Sequence, residues 1–191
     1  MKYCATLKMI GSVLILHAVT SCSEKILETP GINYAKSSPL KLNVQDIQVV
    51  SIPEVHPSKN KHAQEEAVLL RSEIEKWART RLVSEGGADR AVMTIHKVNI
   101  KVLKDPKAEV ERVKRDFYVG KVDIKLDILD DRGFVKGSVS SSVEQTVGIP
   151  ETYTYYEREA QIKRLREELM NSLDARMVKE ISQNLSLYMM Q

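Results

Sequence analysis

Cysteine, tryptophan and aromatic residues in general are scarce in this sequence of 191 residues. There are two cysteines and one tryptophan, and aromatic residues make up only 5% of the chain. Two cysteines cannot form a disulfide scaffold, so an apolar core must stabilise the fold. The 42% of hydrophobic residues is too high for a disordered chain and too low for a protein that spans a membrane several times. The net charge of +3 does not indicate a nucleic-acid partner, and we expect none.

Motifs that would indicate an enzyme are also missing. The sequence contains no G-x-S-x-G nucleophile motif and neither of the phosphate-binding patterns G-x-x-x-x-G-K and G-x-G-x-x-G. The serine-rich stretch 138–142 is better explained by small residues on a strand than by a catalytic serine. The pairs Glu65-Glu66 and Glu167-Glu168 are expected on solvated helix surfaces, because adjacent helical residues do not share a face. We therefore predict no enzymatic activity and no cofactor.

Histidines are few and poorly spaced for a metal. His56 and His62 flank a loop that contains Lys59 and Lys61, and neither has a cysteine partner. His96 falls in a predicted strand, on its polar face. Because a zinc site needs three or four converging ligands, we predict no metal site and expect His56 and His62 to be solvated.

The first 21 residues have the three parts of a secretory signal. Lys2 and Lys8 form a basic start without acidic neighbours, residues 10–19 are mainly apolar, and the small residues Thr20 and Ser21 follow. The apolar stretch is shorter than the roughly 20 residues that a transmembrane helix needs. This order is typical of a signal peptide that is removed.

The end of this segment, Val19-Thr20-Ser21-Cys22, resembles the lipobox of bacterial lipoproteins. In that family the cysteine thiol receives a diacylglycerol, the signal peptide is cut before it, and the new amine is usually acylated. The resemblance implies a signal peptide over residues 1–21, lipidation of Cys22 with fatty acids such as palmitate, and a membrane anchor. Ser23 stands where an aspartate would retain such a protein in the inner membrane, which implies the outer membrane, facing the periplasm. The alternative is an ordinary signal peptide cut near Ser21, which would leave Cys22 unmodified.

The rest of the chain predicts one domain behind a tether. Residues 22–40 are rich in Pro, Gly, Ser and Asn and have no period, which predicts a flexible tether before a single α+β domain at 41–191. Apolar periodicity predicts the element order β-α-β-β-β-α. The predicted strands are 41–52, with a bulge near Asp46, then 91–103, 117–129 and 134–147. The predicted helices are 62–84, capped by Gly86 or Gly87, and about 154–188, with fraying near Asn184 as the alternative end.

These elements predict a two-layer sandwich. Each helix has one apolar stripe and each strand one apolar face, so a four-stranded mixed sheet covered on one face by two helices buries them all. The first two strands are joined by a helical crossover, and the last three form an antiparallel meander. The other face of the sheet would contact solvent or a partner.

Further resemblances rest on the strand and turn at 126–133 (LDILDDRG), the long final helix and the lipobox. In topology, residues 41–187 resemble the lipopolysaccharide-assembly lipoproteins and the auxiliary lipoproteins of lipid-transporting ABC systems. The segments at 77–82, 132–134 and 173–176 are more similar to uncharacterised lipoproteins of alphaproteobacteria. These resemblances imply a non-catalytic binding or assembly module with an envelope protein as partner. The alternative function is a periplasmic carrier of lipid or another hydrophobic ligand, which would require an open groove between helix and sheet.

Three tyrosines, Tyr153, Tyr155 and Tyr156, cluster before the last helix. Tyrosine is common at interfaces because its ring is apolar and its tip is polar. The cluster is therefore a candidate interface, and the alternative is that these rings pack the start of the helix against the sheet.

Overall fold

The structure, a computed structural model, describes residues 37–53, 59–105 and 114–190. The predicted signal peptide, Cys22, most of the predicted tether and His56 lie outside these residues. Among the described residues, no helix is both long and apolar enough to cross a bilayer. The described elements, in chain order, are β1 (Leu40–Leu42), β2 (Ile47–Ser51), α1 (Lys61–Arg81), β3 (Leu82–Ser84), β4 (Arg90–Lys104), β5 (Arg115–Leu129), β6 (Val135–Pro150), α2 (Tyr155–Asn184) and a short 3-10 helix (Ser186–Tyr188).

The main sheet has the strand order β2-β4-β5-β6. β2 runs parallel to β4 because α1 joins them as a crossover, while β4, β5 and β6 are antiparallel neighbours. In β5 the alternating residues Val122, Ile124, Leu126 and Ile128 are buried, and the charged residues between them are half-exposed on the other face. Both helices pack on the apolar face. The predicted α+β sandwich with two helices on a four-stranded mixed sheet is therefore confirmed.

The two helices lie side by side and run in the same direction. Contacts between them advance together along both chains, from His62 beside Glu159 near the start of α1 to Trp77 and Arg81 beside Asp174 towards its end. One Asp174 oxygen accepts hydrogen bonds from Trp77 Nε1 (2.9 Å) and Arg81 Nε (2.8 Å). We call this pair of hydrogen bonds to Asp174 the Asp174 joint. Because its groups are almost fully buried, it sets the register of the two helices.

Three local features of the fold follow from short sequence patterns. The turn after β5 places Gly133 at φ 85°, and the Asp130 carboxylate accepts hydrogen bonds from the Arg132 and Phe134 amides. The change of phase in the second predicted strand is a bulge between Ile95 and Lys97 in β4. Thr154 caps α2, and Glu157 completes the capping box.

The predicted first strand at 41–52 is wrong as a single strand. Residues 43–45 form a bend, so that β1 and β2 belong to different sheets and Asp46 is not a bulge. β1 pairs with β3 in parallel, and Leu42 also bridges to Met189 beyond α2. The change of phase at Asp46 therefore reflects a chain that leaves one sheet for the other.

The predicted helix ends were also too late. α1 ends at Arg81, because Leu82 turns into extended conformation, is buried and pairs with Leu40. Gly86 has φ 93° but lies beyond β3, so neither it nor Gly87 caps the helix. Gly87 serves another purpose, since a Cβ there would lie 2.2 Å from the Asn43 carbonyl oxygen. α2 ends at Asn184, the alternative end, and the 3-10 helix follows.

We expect Asp174→Ala to lower the free energy of unfolding by about 3 kcal/mol, because it leaves the buried Arg81 and Trp77 donors without their acceptor. Urea denaturation measures this change. Asp131→Ala, at an exposed turn position, is the control and should change stability by less than about 0.5 kcal/mol. Equal, small effects of the two substitutions would contradict the assigned role of Asp174.

Candidate functional site

Three side chains with metal-binding chemistry meet where α1 and α2 begin. His62 and Glu66 are four residues apart on α1 and therefore share a face, and Glu159 approaches them from the first turns of α2. His62 Nε2 lies 3.1 Å from Glu159 Oε1. One ligand atom from each residue lies within 4.8 Å of the others. These three residues are the N-terminal part of a larger group of charged side chains between the two helices, which we call the interhelical cluster.

Towards the C-terminal ends of the two helices, the cluster continues with side chains of opposite charge that lie next to one another. The Arg166 guanidinium of α2 reaches α1, with Nε 3.2 Å from Glu66 Oε2 and Nη1 3.5 Å from Glu73 Oε1. Glu167, also on α2, is 3.8 Å from the exposed ammonium of Lys163. Glu66 and Glu167 are only 6% and 8% exposed. Buried carboxylates of this kind cost free energy unless cations or hydrogen bonds compensate for lost water.

Burial in this cluster affects the ionisation of Glu73. Loss of water raises the pKa of the Glu73 carboxyl above its usual 4.5, while Arg166 lowers that pKa and the neighbouring carboxylates of Glu66 and Glu167 raise it further. The net direction is upward, so Glu73 holds its proton at pH values where an exposed glutamate has lost it.

The sequence analysis did not identify this cluster. The expectation that His62, Glu66 and Glu167 are solvated is wrong for Glu66 and Glu167, which are buried, and His62 is only partly exposed. One signal was present. Glu66 lies four residues before the buried Leu70 and therefore on the apolar stripe of α1. A carboxylate on that stripe indicates a polar partner across the helix interface.

The serine-rich strand contains no arrangement typical of a hydrolase among the described residues. The Ser142 hydroxyl donates to Asp123 (2.5 Å) and Ser141 is buried. His96 is exposed at the bulge of β4, and His62 belongs to the interhelical cluster. In the Ser-His-Asp triad a histidine is the base, and of the described histidines His62 contacts Glu159 while His96 is exposed to solvent.

A shallow groove lies between α1 and the edge strand β2. Its volume is about 360 Å³. Arg71 closes one side of the groove by donating from Nη1 to Ser51 Oγ (2.5 Å) and to the Ile52 carbonyl (2.9 Å). The space between the helices and the sheet is filled, since Trp77, Ile74 and Leu169 have no exposed surface. The lining residues of the groove are Ser51, Pro53, Gln64, Ala67, Val68, Arg71 and Val98.

The tyrosine cluster lies on the surface at the start of α2. Tyr153 is 37% exposed, Tyr155 68% and Tyr156 84%, and the rings of the last two form a T-shaped, edge-to-face pair with centroids 5.8 Å apart. The alternative in which these rings pack the helix start against the sheet is therefore wrong for Tyr155 and Tyr156. We call these three residues the tyrosine surface.

We expect Glu73→Gln to stabilise the protein at pH 7 more than at pH 4. Because the folded pKa of Glu73 is raised, the folded state binds more protons than the unfolded state above the ordinary value of 4.5, and stability falls as the pH rises through that window. Glutamine cannot ionise and avoids this loss. Urea denaturation at both pH values tests the difference.

Glu65→Gln is the control for this measurement. Glu65 is exposed and pairs only loosely with Lys61, 3.8 Å away, so its neutralisation should change stability by less than about 0.5 kcal/mol. A Glu73→Gln protein that loses stability at pH 7 relative to pH 4 would contradict the assignment.

Comparison with known proteins finds structural similarity only. No protein-family model matches the sequence, and no curated protein matches it. Three of the similar solved structures are bacterial lipoproteins, at identities of 10–14% and TM-scores of 0.41–0.46, values too low to transfer a function to this chain. A minor lipoprotein of Acinetobacter baumannii is 10% identical with a TM-score of 0.41, and 78% of this chain aligns with 98% of that one. Rare lipoprotein B of Shewanella oneidensis is 11% identical with a TM-score of 0.41 over 72% and 93% of the two chains. Uncharacterized lipoprotein B of Nitrosomonas europaea is 14% identical with a TM-score of 0.46 over 74% and 84%.

Proposed function

We propose that this protein is a bacterial envelope lipoprotein, anchored in the outer membrane through acylated Cys22, that binds or assembles another envelope protein without catalysis. The sequence Val19-Thr20-Ser21-Cys22 behind a basic, apolar leader carries this proposal. Each buried methylene of an acyl chain contributes about 0.8 kcal/mol, so two or three chains hold a protein firmly in a membrane. The described domain would then stand in the periplasm as the part that meets the partner.

The position of the tyrosine surface supports a binding role. The chain enters the described domain at β1, whose Leu42 pairs with Met189 just beyond the C-terminal end of α2. Tyr155 and Tyr156 lie at the opposite end of α2, which has 30 residues and is about 45 Å long. The tyrosine surface is therefore at the end of the domain remote from β1, and a lipid anchor that precedes β1 would leave it on the side away from the membrane attachment. Exposed aromatic rings at such a place are typical of protein contacts.

The hydrophobic-ligand carrier remains the second candidate, with the groove beside β2 as its site. A volume of about 360 Å³ is near the lower limit for ligand sites in proteins. The filled core between helices and sheet leaves no room for a ligand there. The carrier is accordingly the weaker of the two functions.

We expect Cys22→Ala to abolish anchoring. In cells that make the protein, the wild type should partition into the detergent phase of the envelope fraction, and mass spectrometry should find a diacylglycerol on its first residue. The variant should partition into the aqueous phase. Ser23→Ala, one residue along, is the matched control and should behave as the wild type. Equal partitioning of wild type and Cys22→Ala would refute the anchor.

A photo-crosslinking amino acid placed at Tyr156 tests the binding role separately. We expect one discrete covalent adduct with an envelope protein in intact cells, because this side chain is exposed on the proposed interface. The same amino acid at Glu144, exposed on the other face of the sheet, is the control and should give no such adduct. No adduct from position 156, or the same adduct from both positions, would contradict the tyrosine surface as the interface.

A further inference from the structure

The interhelical cluster contains polar atoms that its own residues do not satisfy. His62 Nε2, Glu66 Oε2 and Glu167 Oε2 are each inaccessible to water and have no hydrogen-bond partner among the described residues. Arg166 Nε lies 3.2 Å from Glu66 Oε2, but the two are not oriented for a hydrogen bond. His62 Nε2 likewise lies 3.1 Å from Glu159 Oε1 without hydrogen-bond geometry. Buried polar atoms that lack a hydrogen bond are unfavourable unless a further group satisfies them.

The charge of the cluster is also unbalanced. Four carboxylates face two permanent cations, and His62 adds charge only when it is protonated. When all four carboxylates are ionised and His62 is neutral, the excess of negative charge equals the charge of one divalent cation. The carboxylates belong to Glu66, Glu73, Glu159 and Glu167, and the cations to Arg166 and Lys163.

We propose that His62, Glu66 and Glu159 bind a borderline divalent cation, Zn²⁺ being the best match, between the first turns of α1 and α2. One imidazole nitrogen and two carboxylate oxygens are ligands that Zn²⁺ accepts, whereas Mg²⁺ and Ca²⁺ prefer oxygen alone. Ligands of one zinc ion lie about 2.0–2.2 Å from it and hence roughly 3–4 Å from each other. The ligand atoms here already lie within 4.8 Å of one another, so small side-chain rotations complete the site.

The position of the site gives it a structural role. The ion joins α1 to α2 at the end of the helix pair opposite the Asp174 joint, and Glu159 lies one turn after Tyr155 of the tyrosine surface. Bound metal therefore holds the start of α2, which carries those rings, against α1. The metal site requires neither the lipid on Cys22 nor the proposed interface, and its test is independent of both.

The test uses the untagged full chain in detergent, freed of metal with a chelator and titrated with ZnCl₂ by calorimetry. We expect one equivalent of Zn²⁺ to bind and to raise the thermal unfolding temperature. His62→Ala and Glu159→Gln should each weaken binding at least about tenfold, since even the loss of outer partners of metal ligands has effects of that size. Glu159→Gln is nearly isosteric at a partly exposed position, so it separates the loss of a ligand from a failure to fold.

His96→Ala is the matched control, because His96 is an exposed histidine on β4. It should bind Zn²⁺ as the wild type does and show the same rise in unfolding temperature. Replacing Zn²⁺ by Co²⁺ should give visible absorption bands in the wild type and in His96→Ala, but weaker bands in His62→Ala and Glu159→Gln. The proposal is overturned by a wild type that binds no stoichiometric Zn²⁺, by a His62→Ala or Glu159→Gln protein that binds it as tightly as the wild type, or by equal losses in His62→Ala and His96→Ala.

Discussion

The carboxylate of Asp174 decides how α1 and α2 lie against each other. It accepts from Trp77 and Arg81 of α1 in a place that water barely reaches. A hydrogen-bonded charge in such a place tolerates little displacement, because any shift leaves a buried donor without a partner. Because the hydrogen bonds of Asp174 fix the two helices relative to each other there, residues two or more turns nearer the N-termini must also face each other. The juxtaposition of His62, Glu66 and Glu159 is a consequence of that register.

The two ends of the helix pair therefore differ in character. At the Asp174 end one carboxylate oxygen accepts hydrogen bonds from both Trp77 and Arg81, although Arg81 Nη1 has no hydrogen-bond partner among the described residues. The chain from β1 and the segment after α2 pair there as well. At the other end carboxylates outnumber permanent cations, and buried polar atoms are left without hydrogen bonds. The tyrosine surface is next to this second end. If an anchor precedes β1, the tyrosine surface and the proposed metal site therefore lie on the side away from that attachment.

Much of the fold could be predicted because its elements have strong, uninterrupted periods. In β5, apolar and charged residues alternate from Val122 to Ile128, and this pattern has only one economical explanation, a strand with one face in the core. β1 and β3 could not be predicted, because three residues are too few for a period. Leu82 continues the helical stripe of α1 in sequence, and only its pairing with Leu40 shows that it belongs to a strand. The interhelical cluster was missed for a related reason, since Glu66 and Arg166 are far apart along the chain and the place of Glu66 on the apolar stripe of α1 does not identify its partner.

The sequence by itself determined the order of the main strands and helices, the turn at Gly133 and the capping box of α2. Each of these depends on residues within a few positions of one another, so local chemistry is sufficient. Tertiary structure alone decided which charges are buried, which unpaired atoms meet and which tyrosines stay exposed. Those properties depend on how the elements pack against one another. A side chain is buried by the neighbours that it acquires on folding, and its position in the sequence does not specify those neighbours.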